Sequence, residues 1–149
     1  MKPLPERLEK LLATLDSLER PDRIQMLIDI AGGFRRVPME IAAPPYPADH
    51  RVPGCESEAY VWSRPQENGA LDLYFAVENP QGISAMAMAT ILAGTVSGAP
   101  AEEIASVSPD VIYRIFGREL SMGKSMGLMG MVNTVRAAAN RYLQSQADR

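Results

Sequence analysis

The chain has 149 residues, of which 46% are hydrophobic and 22% are charged. These proportions are typical of one folded domain, and a chain of this length can bury a core without a metal or a disulfide. Eighteen acidic residues outnumber fifteen lysines and arginines, for a net charge of −3, whereas a protein that binds nucleic-acid backbones is expected to lean basic.

One cysteine and one histidine limit the chemistry that the chain can carry. A single cysteine forms no internal disulfide, and with one histidine it falls short of a zinc site or an iron–sulfur ligand set. The longest apolar stretch, residues 83–96, is too short to span a bilayer, and the first residues lack a signal-peptide core. We therefore expect a cytoplasmic protein without metal, membrane or nucleic-acid partner, forming one domain over residues 1–149.

The first two predicted elements are helices. Leucines at helical spacing between polar residues predict an amphipathic first helix; they are Leu4, Leu8, Leu11, Leu12, Leu15 and Leu18. The second helix is predicted to begin at Pro21-Asp22 and to end at Gly32-Gly33. Its inward residues are expected to be Ile24, Leu27, Ile28 and Ala31. The short link between the two helices indicates an antiparallel pair.

Residues 37–77 change to strand character. The alternation of Val37, Met39 and Ile41 predicts a short edge strand, and the five prolines between residues 38 and 53 predict a stiff, exposed loop. Residues 59–62 are aromatic and β-branched, and residues 71–77 alternate between apolar and polar side chains. Because the Asn68-Gly69 pair between them favours a type I′ turn, we predict an antiparallel hairpin.

Helices are predicted again after residue 82. One runs through Val96, two short ones begin near Ala99 and Pro109, and a long amphipathic helix, capped by Ser121 or Ser125, ends the chain. Helices, a small antiparallel sheet and further helices make an α+β domain. The methionines of the helical half are interpreted mainly as core filling; they are Met86, Met88, Met122, Met126, Met129 and Met131.

Cys55 lies between the proline-rich loop and the first strand. A free cysteine is commonly buried as a small hydrophobe, but its neighbours Glu56 and Ser57 are polar, and Gly54 suits a sharp turn that presents a thiol. The position alone leaves a reactive thiol and a structural one both open. A reactive thiol would be an acyl-transfer nucleophile, a redox sensor or a carrier of sulfur as a persulfide.

Elimination favours the carrier. The base for acyl transfer would be His50 in the same loop, where a solvated histidine is the commoner outcome, and a redox sensor often has a second cysteine. A carrier needs only an accessible thiol and a docking surface. A cysteine-dependent hydrolase using Cys55 and His50, and a non-catalytic binding module with a buried cysteine, remain as alternatives.

Lys124 lies in a glycine-rich turn that precedes the last helix. A positive charge there does not help the helix, so it fits either a role facing an anion or a partner, or a solvated lysine. The sequence Gly123-Lys124-Ser125 lacks the first glycine and the preceding strand of a phosphate-binding P-loop, and we exclude a nucleotide site.

Two motifs resemble those of the SufE family, the sulfur-accepting partners of cysteine desulfurases. They are Arg51-Val52-Pro53-Gly54-Cys55-Glu56-Ser57 before a strand and Lys124-Ser125-Met126-Gly127-Leu128 at the last helix. The resemblance covers nearly the whole chain and implies a fold shared with IscU-type scaffolds. Those scaffolds hold a cluster with three cysteines, so a chain with one cysteine is expected to carry sulfur instead. Lys124 stands where the family usually has arginine, and Glu78 is the counterpart of a common acidic residue.

The resemblance also implies a partner and a set of site residues. Cys55 would take persulfide sulfur from a SufS-like, pyridoxal-phosphate-dependent cysteine desulfurase, stimulate that enzyme, and pass the sulfur to an iron–sulfur scaffold complex. Arg51, Lys124 and His50 would assist or contact the partner. The chain would then bind no cofactor of its own and would not act as a stand-alone enzyme.

Overall fold

The computed structural model of the protein describes residues 3–148, which fold as helices around a two-stranded antiparallel sheet. The elements are α1 (Glu6–Asp16), α2 (Arg20–Gly32), a 3-10 helix (Ala48–His50), β1 (Ala59–Pro65), β2 (Leu71–Val77), α3 (Ile83–Thr95), α4 (Ala101–Ala105), α5 (Val111–Phe116) and α6 (Met122–Ala147). The predicted α+β fold with a long C-terminal helix is confirmed. No helix in residues 3–148 is long and apolar enough to cross a membrane.

Helix α3 is the central element of the core. It has no charged residue, and it packs against α1, α2, α6 and β2. A helix that is apolar on every side is stable only when it is surrounded, which explains this position. Met88 and Leu92 are fully buried in its middle.

The predicted antiparallel pairing of α1 and α2 is wrong. Both helices pack mainly against α3 and α5 instead of along each other. The leucine stripe of α1 is fully buried at Leu8, Leu12 and Leu15. Because α3 offers apolar surface on all sides and α2 buries little of its own, α3 is the better partner for that stripe.

The inward face of α2 is narrower than predicted. Leu27 and Ala31 are buried as expected, but Ile24 and Ile28 are 46% and 48% exposed. Leu27 and Ala31 form the strip of α2 that packs on α3. Both isoleucines lie beside that strip, at the edge of a groove.

The predicted edge strand at residues 37–41 is also wrong. Val37 donates one hydrogen bond, from its N–H to the carbonyl oxygen of Phe75 in β2 at 2.8 Å. The chain then turns, with the carbonyl of Pro38 accepting from the N–H groups of Ile41 and Ala42. Proline has no N–H to continue a ladder, so the pairing ends after one bond.

The predicted hairpin is confirmed, with β1 and β2 in register from Ala59 opposite Val77 to Pro65 opposite Leu71. Its turn is not type I′, which needs a positive φ at both central residues. Gly69 has a φ of 84°, and Gln66 donates its N–H to the carbonyl of Ala70 at 2.8 Å. The connection is therefore residues 67–69, with glycine at the left-handed position.

The predicted end of α5 and one of the two predicted caps of α6 are confirmed. Gly117 ends α5 with a φ of 87°, and Ser121 is the cap of α6, since its Oγ accepts from the N–H of Lys124 at 3.2 Å. Ser125 is not the cap. Of the methionines, Met88 and Met131 are fully buried, whereas Met122 and Met126 are 80% and 58% exposed. Core filling is thus the wrong interpretation for the last two, which lie in the first turns of α6, outside the core.

The two faces of α2 should differ in their contribution to stability. Leu27→Ala removes a buried side chain and should lower the free energy of unfolding by about 2 kcal/mol or more. Ile28→Ala, the neighbouring change at a half-exposed position, should cost less than about 1 kcal/mol. Urea unfolding of both variants measures the difference, and equal losses would contradict the described burial of α2.

Candidate functional site

The cysteine lies on a short loop that is closed at its base. The backbone of Arg51 forms an isolated antiparallel β-bridge with Tyr60 of β1. Val52 donates its N–H to the carbonyl oxygen of Ala59 at 2.8 Å. Within the loop, Cys55 donates its N–H to the carbonyl of Val52 at 3.4 Å, and Glu58 donates to the carbonyl of Cys55 at 3.3 Å. These bonds fold residues 52–58 into a tight excursion from the start of β1.

The side chain of Cys55 is largely covered. It is a free cysteine, 7% exposed, and it belongs to the main hydrophobic cluster. It also lines a shallow depression of about 470 Å³, together with Arg51, Pro53 and Glu56. The thiol therefore lies just beneath the surface at an open depression, not in the middle of the core.

Two glycines of α6 allow the loop to approach the helix backbone. A β-carbon on Gly127 would lie 3.3 Å from the Cα of Cys55 and 3.5 Å from its Sγ. A β-carbon on Gly130 would lie 2.7 Å from the carbonyl oxygen of Pro53, a distance that a real side chain does not tolerate. The loop that carries Cys55 thus packs against bare helix backbone.

The other side of the loop is held where β2 meets α3. A β-carbon on Gly82 would lie 2.7 Å from the Oγ of Ser57. Asn79 donates its N–H to the carbonyl of Ser57, and Glu78 donates to that of Glu58, both at 3.1 Å. Gly127 belongs to a motif found in the sequence, whereas Gly82 and Gly130 were missed. For Gly130 the signal in the sequence is a glycine within a helical pattern, which suits a close backbone approach. Gly82 precedes α3 in a turn and carries no such signal.

His50 does not face the thiol. Its Nδ1 donates to the carbonyl oxygen of Val61 at 2.9 Å, and its ring stacks on Trp62 with centroids 5.2 Å apart. No hydrogen bond joins His50 to Cys55 among residues 3–148. The structure therefore does not bring the two together as a nucleophile and its base.

Arg51 and Lys124 stand on two sides of the loop. Arg51 is exposed and lines the same depression as Cys55. Lys124 is exposed in the first turn of α6 and lines a second depression of about 370 Å³ with Glu56 and Gly127. Neither side chain has a carboxylate partner within the described part of the chain. The two cations are therefore free to meet an anion or an acidic partner.

Two carboxylates also lie close to the loop. The Oε1 of Glu56 is 3.6 Å from where a β-carbon on Gly123 would lie, so its charge is next to the first turn of α6, whose amide groups favour an anion. The carboxylate of Glu78 pairs with Arg36 at 3.4 Å. Between residues 3 and 148 no group of three or more histidines, cysteines or acids could hold a metal ion.

Comparisons with known proteins place these features in context. The family model described as SufE, Fe-S metabolism associated domain, matches residues 9–139. Nine chains of solved structures are similar, among them the solution structure of a hypothetical protein from Thermus thermophilus. That structure has a TM-score of 0.70 and 23% identity, over 95% of this chain and 98% of that one, which is a likeness of fold. No curated protein matches the chain.

A substitution that adds one methyl group at Gly130 tests the close approach of Pro53 to the backbone of α6. Gly130→Ala places a β-carbon against backbone and should lower the free energy of unfolding by about 1 kcal/mol or more. It should also speed the reaction of Cys55 with a thiol reagent in the native protein. Gly94→Ala in α3, where nothing lies within 4 Å, is the matched control and should stabilise by up to about 1 kcal/mol. Equal labelling rates in the two variants would contradict the described packing.

Proposed function

The chain belongs to the SufE family, whose domain has a role in Fe-S metabolism, and on that premise we propose that Cys55 accepts persulfide sulfur from a cysteine desulfurase. The family match confirms the resemblance seen in the sequence. In this proposal the protein stimulates the desulfurase by freeing its thiol and passes the sulfur on for iron–sulfur cluster assembly. Pyridoxal phosphate belongs to the desulfurase.

The observation that carries the proposal is the setting of the single thiol. Cys55 lies just beneath the surface at an open depression that Arg51 also lines, and Lys124 lines the neighbouring depression. Neither cation pairs with a carboxylate of residues 3–148. No base is bonded to it in the described residues. A sulfur carrier needs an accessible thiol and a docking surface, because the partner performs the difficult step. The depression offers the surface, and the covered thiol would become accessible when a docked partner moves the loop.

The transfer is a thiol–disulfide type of exchange. The Cys55 thiol loses its proton, and its thiolate attacks the outer sulfur of the partner's persulfide. A sulfur–sulfur bond forms at the Sγ of Cys55 while the partner's sulfur–sulfur bond breaks, and the bonding electrons leave with the partner's thiolate. One sulfur atom moves, no net oxidation occurs, and no further reductant is consumed.

The charges around the loop suit that step. Arg51 and Lys124 can stabilise the anionic thiolate and steer an acidic partner toward the depression. Lysine in place of the family's usual arginine provides a point charge without a bidentate fork. A partner that supplies further positive charge at the depression would add to this electrostatic stabilisation.

The apolar surface near the loop suits docking. Met122 and Met126 are one helical turn apart, so they share one face of α6, and both are exposed. Methionine side chains adapt to varied partner surfaces. A partner that reaches Cys55 over the first turns of α6 would bury these two side chains and displace the loop from Gly127 and Gly130. The covered position of the thiol limits its oxidation before that contact.

The two alternatives are less well supported. A hydrolase needs a base for its thiol. His50 donates its Nδ1–H to the carbonyl oxygen of Val61, and it makes no hydrogen bond to Cys55 in the described residues. A binding module with a structural cysteine is favoured by the 7% exposure of Cys55. Burial alone, however, does not account for the position of the thiol at an open depression that Arg51 also lines.

Mass spectrometry tests the proposal. The protein is incubated with a cysteine desulfurase and free cysteine, beside the Cys55→Ser and His50→Ala variants. Wild type and His50→Ala should gain the mass of one sulfur atom, removable by reductant, and Cys55→Ser should not. No added sulfur on the wild type, with a desulfurase shown to turn over, would refute the carrier role and leave the buried-cysteine module.

Arg51 should assist the transfer electrostatically. Arg51→Ala should slow sulfur transfer to Cys55 by about three- to tenfold at low salt, the size expected for one exposed interfacial charge, and the difference should shrink at high salt. Arg64→Ala removes another exposed arginine, at the far end of β1, and is the matched control. Equal transfer rates for the two variants would exclude a role for Arg51.

A further inference from the structure

A second surface of the molecule adjoins the cysteine site at Lys124 but does not include the thiol. It is a groove of about 470 Å³ between α2, the start of α3 and the segment that joins α5 to α6. We call it the α2 groove; its apolar lining includes Leu18, Ile24, Leu27, Ile28, Ile83 and Phe116. Cys55 and the other residues of its loop do not line it.

The rims of the α2 groove expose large apolar side chains. Ile24, Ile28 and Ile83 are 46%, 48% and 51% exposed, and they make up half of the six large hydrophobic residues that are exposed in the described part of the chain. Single exposed apolar residues are ordinary, but three β-branched ones around one concave surface mark an interaction site.

The groove also concentrates positive charge. Four cations line it, Arg20, Arg23, Arg118 and Lys124, against one acid, Glu119. The groove therefore carries +3, whereas the whole chain carries −3, so the remaining residues together carry −6. A cationic groove on an otherwise acidic protein selects for an acidic occupant.

Three of these positive charges have no carboxylate partner among the described residues: those of Arg23, Arg118 and Lys124. Arg20 forms the ion pair with Glu119. The guanidinium of Arg23 donates instead to the backbone carbonyls of Leu15 and Arg114, each at 3.0 Å, which fixes it in place with its charge intact. Arg118 lies over the ring of Tyr113 at 5.6 Å.

We propose that the α2 groove binds an amphipathic helix of a protein partner, with apolar residues on one face and acidic residues beside them. Ile24 and Ile28 are one turn apart and form a ridge along α2, against which the apolar face of a second helix can pack. Because Ile24 and Ile28 project from the rim, a partner that buries them must extend beyond the groove onto the surface of α2. A small amphiphile held within the groove would leave that ridge exposed. This contact is separate from the transfer of sulfur at Cys55.

Fluorescence anisotropy with a synthetic peptide tests the proposal. The probe is a labelled peptide of about 18 residues, long enough to form a helix, with leucines at i, i+4, i+7 and i+11 and glutamates between them. It should bind the wild-type protein in a salt-sensitive manner, and a peptide of the same composition in scrambled order should bind at least about tenfold more weakly.

Two charge-introducing variants locate the contact. Ile28→Glu should weaken binding by about tenfold or more, since it removes an apolar anchor and adds a like charge. Met39→Glu makes a comparable change at a residue that is 76% exposed and outside the groove, and it should bind as the wild type does. Because both positions are exposed, both variants should fold, and circular dichroism checks that they do.

Several results would overturn the proposal. They are equal affinity of the two variants, equal binding of the scrambled peptide, or equal binding of a version with lysine in place of glutamate. Saturable binding of dodecanoate without binding of the peptide would make the groove a small-molecule site. A concentration-dependent dimer in sedimentation velocity that Ile28→Glu abolishes would instead assign the groove to a second copy of this chain.

Discussion

The close contact between the Cys55 loop and the backbone of α6 is the constraint on which the site depends. Gly127 and Gly130 leave the helix bare where the loop crosses it, and a single methyl group at Gly130 would collide with the carbonyl oxygen of Pro53 at 2.7 Å. The thiol is thereby covered while it remains at the edge of a depression. In the proposed function, a partner that competes for this face of α6 would displace the loop.

The charge at the two proposed contact surfaces is opposite in sign to the net charge of the chain. The chain is acidic overall, but cations without a carboxylate partner in the described residues lie at the Cys55 loop and along the α2 groove. Lys124 lines both the groove and the depression beside the loop. A partner helix in the α2 groove would therefore meet Lys124, which also lines the depression beside the Cys55 loop. The two surfaces can act together, one placing a partner and the other exchanging sulfur with it.

Local patterns in the sequence predicted most of the elements, because helix periodicity, caps and strand alternation are local properties. Errors arose where a choice depended on distant residues. Whether Ile28 points inward is decided by how α2 lies on α3. The edge strand predicted at residue 37 is a local error instead, because the adjacent Pro38 has no N–H to continue the ladder. The motif around Cys55 was found, but its covered state depends on Gly130, about 75 residues away in the chain. His50 was assigned by proximity in sequence, and its ring turned to Trp62 instead.

A single-turnover chase tests whether sulfur passes through Cys55. The protein is loaded with radioactive sulfur by a desulfurase, purified away from that enzyme, and mixed with an apo iron–sulfur scaffold, ferrous iron and a reduced electron-transfer protein. That protein supplies the two electrons that persulfide sulfur needs to become cluster sulfide. The account predicts that the label leaves Cys55 and appears in the cluster on the scaffold. Label that stays on Cys55, or that leaves only when an added thiol reduces it to free sulfide, would contradict the carrier role.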